Sequence, residues 1–208
     1  MEYYSQFNQD AFVYENYFKE RTDGIFVDVG AYDGVIGSNS LFFEKLGWQG
    51  VCIEPNPEMF KKLQELRKCR CVPYAISDKS EIAKFFQIKE RGPATLSGLV
   101  DEYSQQAIAR INKEVNQEDQ DFDYIDVECK TFESIVEHKH IDYLSLDTEG
   151  NELKILQSID YNKYFIDVIT VENNDYDYKF IDLLTQKGYQ FITRLGCDEV
   201  FKNIITKI

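Results

Sequence analysis

The residues of this chain that could do chemistry sit where apolar runs end. FVDVGAYDG (26–34) carries Asp28 and Asp33 beside Gly30, Ala31 and Gly34. VCIEPNP (51–57) carries Glu54, and AISD (75–78) closes on Ser77 and Asp78. Further on, IDYLSLDTEGNE (141–152) places Asp147, Glu149 and Glu152 after an apolar run. VITVENN (168–174) does the same with Glu172, Asn173 and Asn174. A carboxylate at such a position can accept from paired hydroxyls, bind an ammonium, take a proton or ligate a hard divalent ion. Gly30 and Gly34 would let the backbone pass close to a ligand, where a Cβ would collide.

The pattern separates two kinds of nucleotide ligand. A dinucleotide site needs G-x-G-x-x-G opening a helix, with amides aimed at a pyrophosphate. Here the glycines fall at 30, 34 and 37, and Asp28 and Asp33 would repel phosphates. A cationic, phosphate-free nucleoside suits the loop better. S-adenosylmethionine has an ammonium, a sulfonium and two ribose hydroxyls. An acid near the end of the first strand can bind the ammonium, and Glu54 can accept both ribose hydroxyls in a bidentate way. Ser77 and Asp78 stand where an adenine amino group could be read. Any single strand end is often polar; the ordered series along successive strand–helix units is the signal.

The elements that would position these residues alternate almost throughout. The spacing predicts a helix over 9–20, capped by Ser5 or Asn8, then a strand over Ile25–Val29. A helix over 38–46 follows, with Ser38 or Ser40 as its cap, and then a strand over Val51–Glu54. Pro57 opens a helix over 57–67, and Arg70–Tyr74 reads as a third strand. Ala83–Ile88 and Tyr124–Lys130 are strands, and 89–123 is a helical insertion that would be a lid if it lay over a site. A helix from Thr131, a strand at Tyr143–Leu146, a helix over 149–157 and a strand at Val168–Val171 come next. A helix over 175–187 and strands at Tyr189–Thr193 and Val200–Ile205 complete the chain. The alternation argues for one α/β domain over 1–208, a doubly wound parallel sheet covered on both faces.

The 208 residues could bury a sizeable core, and the 43% hydrophobic share is ordinary. A net charge of −14 disfavours nucleic acid or an anionic membrane as the main partner. Lys61, Lys62, Arg67, Lys68 and Arg70 read as a solvated helix face and its exit. Five cysteines without CxxC, and no evident leader, point to free thiols and a cytoplasmic location. Cys69 and Cys71 share one face of a strand as buried thiols, with a metal pair the alternative. No apolar run approaches ~18 residues, so no membrane span is expected.

YSQFNQDAFV, FVDVGAYDG, SNSLFFEKLGWQGVCIEPNP, IDYLSLDTEGNE, VITVENN and KGYQF together resemble the FkbM-type S-adenosylmethionine-dependent methyltransferases. The likeness runs from about residue 4 to the C-terminus, with 89–123 its poorest part. It implies the class I methyltransferase (Rossmann-like) sheet of about seven strands, the last antiparallel. It also implies O-methylation of a hydroxyl, on a sugar, glycan or small natural product. On that reading Asp28, Gly30, Ala31, Asp33, Gly34, Asn39, Glu54, Ser77 and Asp78 contact the cofactor. Asp33 lies near its methionine end and Asp28 orders the loop. Gln6, Gln9 and Asp10 could close over the methionine end or the acceptor, or be surface residues.

In this architecture the runs ending in Asp147 and Glu172 lie beside the first strand. Asp147, Glu172 and Asn173 could hold one divalent ion such as Mg²⁺, by analogy with other class I O-methyltransferases. Equally, the acids could favour a helix dipole and the asparagines simply turn the chain. Glu149 is the candidate base. His138 and His140 precede the fourth strand, on the wrong face for catalysis. The rival readings are a non-catalytic module that keeps the pocket as scaffold and a nucleotide-dependent oxidoreductase. The expected partner is a small-molecule or glycan acceptor, with the protein a monomer or homodimer.

Overall fold

A computed structural model describes residues 1–89, 96–114 and 122–205. Its main sheet has seven strands in the order β10-β11-β9-β8-β1-β2-β3. These are β1 (Ile25–Val29), β2 (Gln49–Ile53), β3 (Arg70–Val72), β8 (His140–Leu146), β9 (Phe165–Glu172), β10 (Tyr189–Leu195) and β11 (Asp198–Asn203). All neighbours run parallel except β11, which is antiparallel to both β9 and β10. This is the expected class I order, with the last strand reversed.

Strand alternation explains both faces. Val27, Val29, Ile53, Leu144 and Leu146 pack on one side with Ile155 and Leu156 of α6 (Glu152–Ser158) and Phe180 and Leu184 of α7 (Lys179–Gln186). Phe26, Cys52 and Tyr143 face the other side, against Phe42 and Phe43 of α2 (Leu41–Leu46), Trp48, and Leu63 of α3 (Pro57–Leu66). Each such side chain, buried to nearly zero exposure, contributes roughly 1.5–3 kcal/mol. The alternation also puts Asp28 on the second face, opposite Ser145 in the register. Among the described residues no helix is long and apolar enough to cross a membrane.

Several boundaries depart from the sequence reading. The first helix is α1 (Gln9–Val13), followed by a π-helical stretch over Tyr14–Phe18. Asn8 stands at its cap position in a left-handed conformation with no side-chain bond. Asp10 instead gathers Tyr4 N (2.7 Å) and the Ser5 hydroxyl. The predicted third strand stops at Val72, because Pro73 has no N–H to donate. The chain then enters a second sheet, ordered β4-β7-β5-β6, of β4 (Ala75–Ser77), β5 (Glu81–Ile88), β6 (Gly98–Leu99) and β7 (Phe122–Thr131). The predicted insertion thus contains a strand, a 3₁₀ turn (Val100–Glu102) and α4 (Gln105–Glu114); residues 90–95 and 115–121 lie outside the described residues. The helix expected from 149 starts at Glu152, since Glu149 (φ 59°) and Gly150 (φ 129°) are not helical. A four-residue α5 (Phe132–Ile135), capped by Thr131, links β7 towards β8.

Arg67 is the largest correction. It is no part of a solvated face: its side chain is 0% exposed. Its guanidinium donates to Glu44 Oε2 (2.9 Å), the Gly34 carbonyl (3.1 Å), Ser38 Oγ (3.3 Å) and Ser40 Oγ (3.0 Å). Ser40 Oγ in turn donates to Asp28 Oδ2 (2.5 Å). Removing one partner from such a buried network strands the others. Arg67→Met is expected to cost about 3–5 kcal/mol in urea denaturation, whereas Lys61→Met should change stability by only a few tenths. Equal midpoints for the two variants would contradict this account.

Candidate active site

The carboxyl ends of β1, β2, β8 and β9 open into a cavity of about 840 Å³. Its floor is made by Asp28–Ala31, Glu54–Asn56, Asp147–Glu149 and Glu172. Tyr4, Gln6 and Phe7 of the N-terminal segment close one side; Ser5 bridges to Gly37, and a Cβ on Gly196 would lie 2.3 Å from the Phe7 ring. Gln106, Ala107, Arg110 and Ile111 of α4 line the other side, so the insertion covers the site. It is fastened there by Glu102–Lys154 (2.7 Å) and Ser104–Asp175 (3.1 Å).

The first loop is built differently from the expectation. A Cβ at Gly30 (φ 87°) would stand 1.7 Å from the Asp147 carbonyl oxygen, so glycine is needed for the approach of the β8 end. Gly34 (φ 81°) is needed against Leu63 and Arg67, and it does not line the cavity. Asp33 also stays out: its Oδ1 accepts from Val35 N (2.9 Å) and Ile36 N (2.8 Å) and orders the loop. Of the two acids Asp28 lines the cavity, and it also holds the loop by accepting from Ser40 Oγ. Ala31 and Asn39 line it too, with Asn39 Nδ2 bonded to Ser145 Oγ (3.0 Å).

Glu54 Oε1 accepts from Asn56 N (2.8 Å) and Oε2 from Tyr32 N (2.9 Å). A carboxylate has about four lone-pair sites, so both oxygens keep capacity for hydroxyl donors. Ser77 and Asp78 are not among the lining residues. Ser77 Oγ turns to Asp78 Oδ1 (3.1 Å), and exposed Asp78 pairs with Lys154 (3.5 Å). Ala75 and Ile76 line the cavity in their place.

At the far end Asp147, Glu149 and Glu172 bring carboxylate oxygens within 4.8 Å of one another. Asn173 does not join them. Its Nδ2 donates to the Asp177 carbonyl (2.9 Å) and Glu199 Oε1 (3.0 Å), so it ties β9 to β11. Glu152 binds Thr148 N (2.7 Å) and Gly150 N (3.1 Å) and shapes the loop. Gln9 bonds Asp198, while Gln6 lines the cavity. His140 lies at the opposite end of β8, with Nε2 2.9 Å from Asp167. The five cysteines are free, and Cys69 Sγ sits 3.5 Å from Cys52 Sγ within the second core cluster.

The electrostatics of the cavity are those of a cation site. Burial, with Glu172 beside it, holds the Asp147 carboxyl well above the usual range. Burial and Glu149 do the same to Glu172, and burial pushes Asp198, which bonds Gln9 and does not itself line the cavity, up to about 6. Among the described lining residues, Arg110, 3.8 Å from Glu149, is the only Lys or Arg. A ligand bearing positive charge relieves this crowding; an anionic one adds to it. The residues fit S-adenosylmethionine in this respect, with Glu54 and Asp28 facing the same space.

Burial also raises Glu54 from 4.5 to about 7, against the lowering effect of the Asn56 and Tyr32 amides. The folded protein therefore keeps a proton that the unfolded chain has released. Stability is greatest below about pH 4.5 on this account and is lost as pH rises through about 7. Wild type should lose about 2–3 kcal/mol more than Glu54→Gln between pH 5 and pH 8, read from urea curves of the ligand-free proteins. Parallel pH profiles would show that Glu54 ionises normally.

The profile of the methyltransferase FkbM domain matches residues 28–191. No curated protein matches the sequence. Solved structures with similar chain course include a TehB-like S-adenosylmethionine-dependent methyltransferase from Corynebacterium glutamicum (10% identity, TM-score 0.46, 97% of this chain and 89% of that one). A proposed rRNA methylase from Clostridium thermocellum has 10% identity and a TM-score of 0.47, with 100% and 99% coverage. A fibrillarin/Nop5p complex has 14% identity and a TM-score of 0.46, with 95% and 79% coverage. The profile match spans most of the sheet and every cavity-lining acid described above, and the chain belongs to the FkbM-domain family of S-adenosylmethionine-dependent methyltransferases.

Proposed function

We propose that this methyltransferase acts on a hydroxyl oxygen of a neutral acceptor: a sugar, a glycan or a small natural product. The observation that carries the reading is the convergence of Asp147, Glu149 and Glu172 on one side of a roofed, acid-lined cavity. Bound S-adenosylmethionine supplies a methyl group on a positively charged sulfur. The chain supplies the rest. Glu54 accepts ribose hydroxyls, Asp28 offers negative charge to the cationic end, and α4 with the N-terminal segment keeps bulk water out. Glu149, on a left-handed backbone that directs it inward from the loop after β8, takes the hydroxyl proton. Asp147 positions that loop through its carbonyl contact with Gly30.

The charge of the lining supports a neutral acceptor over nucleic acid or a phosphorylated one, as does the net charge of −14. Tyr32, Tyr103 and Tyr176 offer faces for a sugar ring. A divalent ion such as Mg²⁺ is the second reading, favoured by the spacing of the three carboxylates. Asp147, Glu149 and Glu172 would hold it, and it would supply Lewis acidity at the acceptor oxygen.

The test is conversion to S-adenosylhomocysteine with panels of neutral glycosides, sugar phosphates and RNA, with EDTA or added Mg²⁺. Turnover is expected with neutral hydroxyl acceptors. Glu149→Gln should lower kcat roughly 10²–10⁴-fold while S-adenosylhomocysteine affinity stays within about threefold. Turnover confined to RNA or to an amine would refute the reading, and loss of activity in EDTA would favour the metal.

A further inference from the structure

We propose that Asn56 and Asn151 read the adenine of the cofactor, Asn56 donating through Nδ2 and Asn151 accepting through Oδ1. The assignment rests on the cofactor that the family uses. Both residues line the cavity, and they are 1% and 2% exposed. Each keeps one side-chain amide atom without a partner: Nδ2 of Asn56 and Oδ1 of Asn151. Buried polar atoms are almost always paired, so two left open in one cavity point to a ligand that pairs them.

The orientation of each amide is fixed by its other bonds. Asn56 Oδ1 accepts from Glu58 N (3.0 Å), Met59 N (3.4 Å) and Gln87 Nε2 (3.0 Å). Those partners are all donors, so the amide cannot be turned over. Asn151 Nδ2 donates to the Ile76 carbonyl (2.6 Å), which can only accept, so its Oδ1 is the open atom. Asn39 differs. Its partner is the Ser145 hydroxyl, which can donate or accept, and its unpaired atom therefore identifies nothing.

One open donor and one open acceptor complement adenine. The base offers an exocyclic amino donor beside ring-nitrogen acceptors. Hypoxanthine inverts this pattern, with a carbonyl at C6 and a proton on N1. The placement agrees. Asn56 N is held by Glu54 Oε1, so the ribose acid and the base reader belong to one turn. Asn151 hangs from Ile76 in the middle of β4, and Met59, Ile76, Phe85 and Leu99 give the apolar lining that a flat base needs. The reading groups are thus amides on either side of β4 rather than Ser77 and Asp78.

Calorimetric titration of the full chain, stripped of bound nucleoside, with S-adenosylhomocysteine and S-inosylhomocysteine tests the proposal. Wild type should bind the adenosyl ligand at least about 10-fold more tightly. Asn56→Asp keeps the cap acceptor of α3 and replaces the donor with a carboxylate oxygen. It should weaken the adenosyl ligand about 10-fold or more and narrow the preference; Asn151→Ala should narrow it as well. Thermal melts of the free variants check that each is folded. An unchanged preference in both variants, or equal loss for both ligands, overturns the adenine assignment while leaving the methyltransferase reading intact. If wild type binds neither ligand, both are overturned.

Discussion

The geometry of the site depends on one buried cation. Arg67 leaves the end of α3 and reaches inward, where its guanidinium holds the Gly34 carbonyl, Ser38, Ser40 and Glu44 at once. Taking a guanidinium out of water costs several kcal/mol unless its donors are met. Here they are met by Glu44 of α2 and by the loop that joins β1 to α2, so that loop has little freedom to be elsewhere. Through Ser40 the same network reaches Asp28, whose carboxyl is raised by burial yet drawn back by Ser40 and Arg67. The same network thus opposes the effect of burial on an acid that faces the cavity.

Other acids are drawn back by neutral donors: Glu54 by the Asn56 and Tyr32 amides, Asp198 by Gln9. Glu54, Asp147, Glu172 and Asp198 all hold protons more tightly than a solvated carboxyl, with burial the first cause in each. Such crowding destabilises the empty fold, and proteins retain it where function needs it. A ligand carrying ammonium and sulfonium charge converts the same crowding into affinity. The acidic lining thus favours a positively charged ligand over an anionic one by one physical effect.

Much of this was legible in the sequence, for local reasons. Apolar runs ending in acids marked β1, β2, β8 and β9, and their alternation with helices marked the parallel sheet; the reversed last strand came from the resemblance to the FkbM-type methyltransferases. The misreadings share a different cause, which is contact between distant segments. Gly30 is glycine because of Asp147, and Gly34 because of Leu63 and Arg67. Periodicity put Arg67 on a solvated face because nothing local announces four distant acceptors. Asn173 looked like a ligand until β11 paired with β9 and brought Glu199 to it. The second sheet was hidden because β4 is three residues long and pairs with β7, far along the chain. Asn56 did leave a signal, since an asparagine before Pro57 is a helix N-cap pattern, and its Oδ1 accepts from Glu58 and Met59.

That second sheet changes what the insertion is for. It is more than a cover. β4 and β5 bring Ile76 and Phe85 to the cavity beside Asn56, while α4 brings Arg110 and Ile111 over Glu149 at the other end. The second sheet and the insertion that leaves it thereby touch both the Glu54–Asn56 end of the cavity and the acid cluster. Together they are held to the main sheet by Ile76 in the first core cluster, by Asn151 on the Ile76 carbonyl and Gln87 on Asn56, and at their surface by Lys154 with Glu102 and Asp78 and Ser104 with Asp175. Exposed or half-exposed pairs of this kind stabilise weakly.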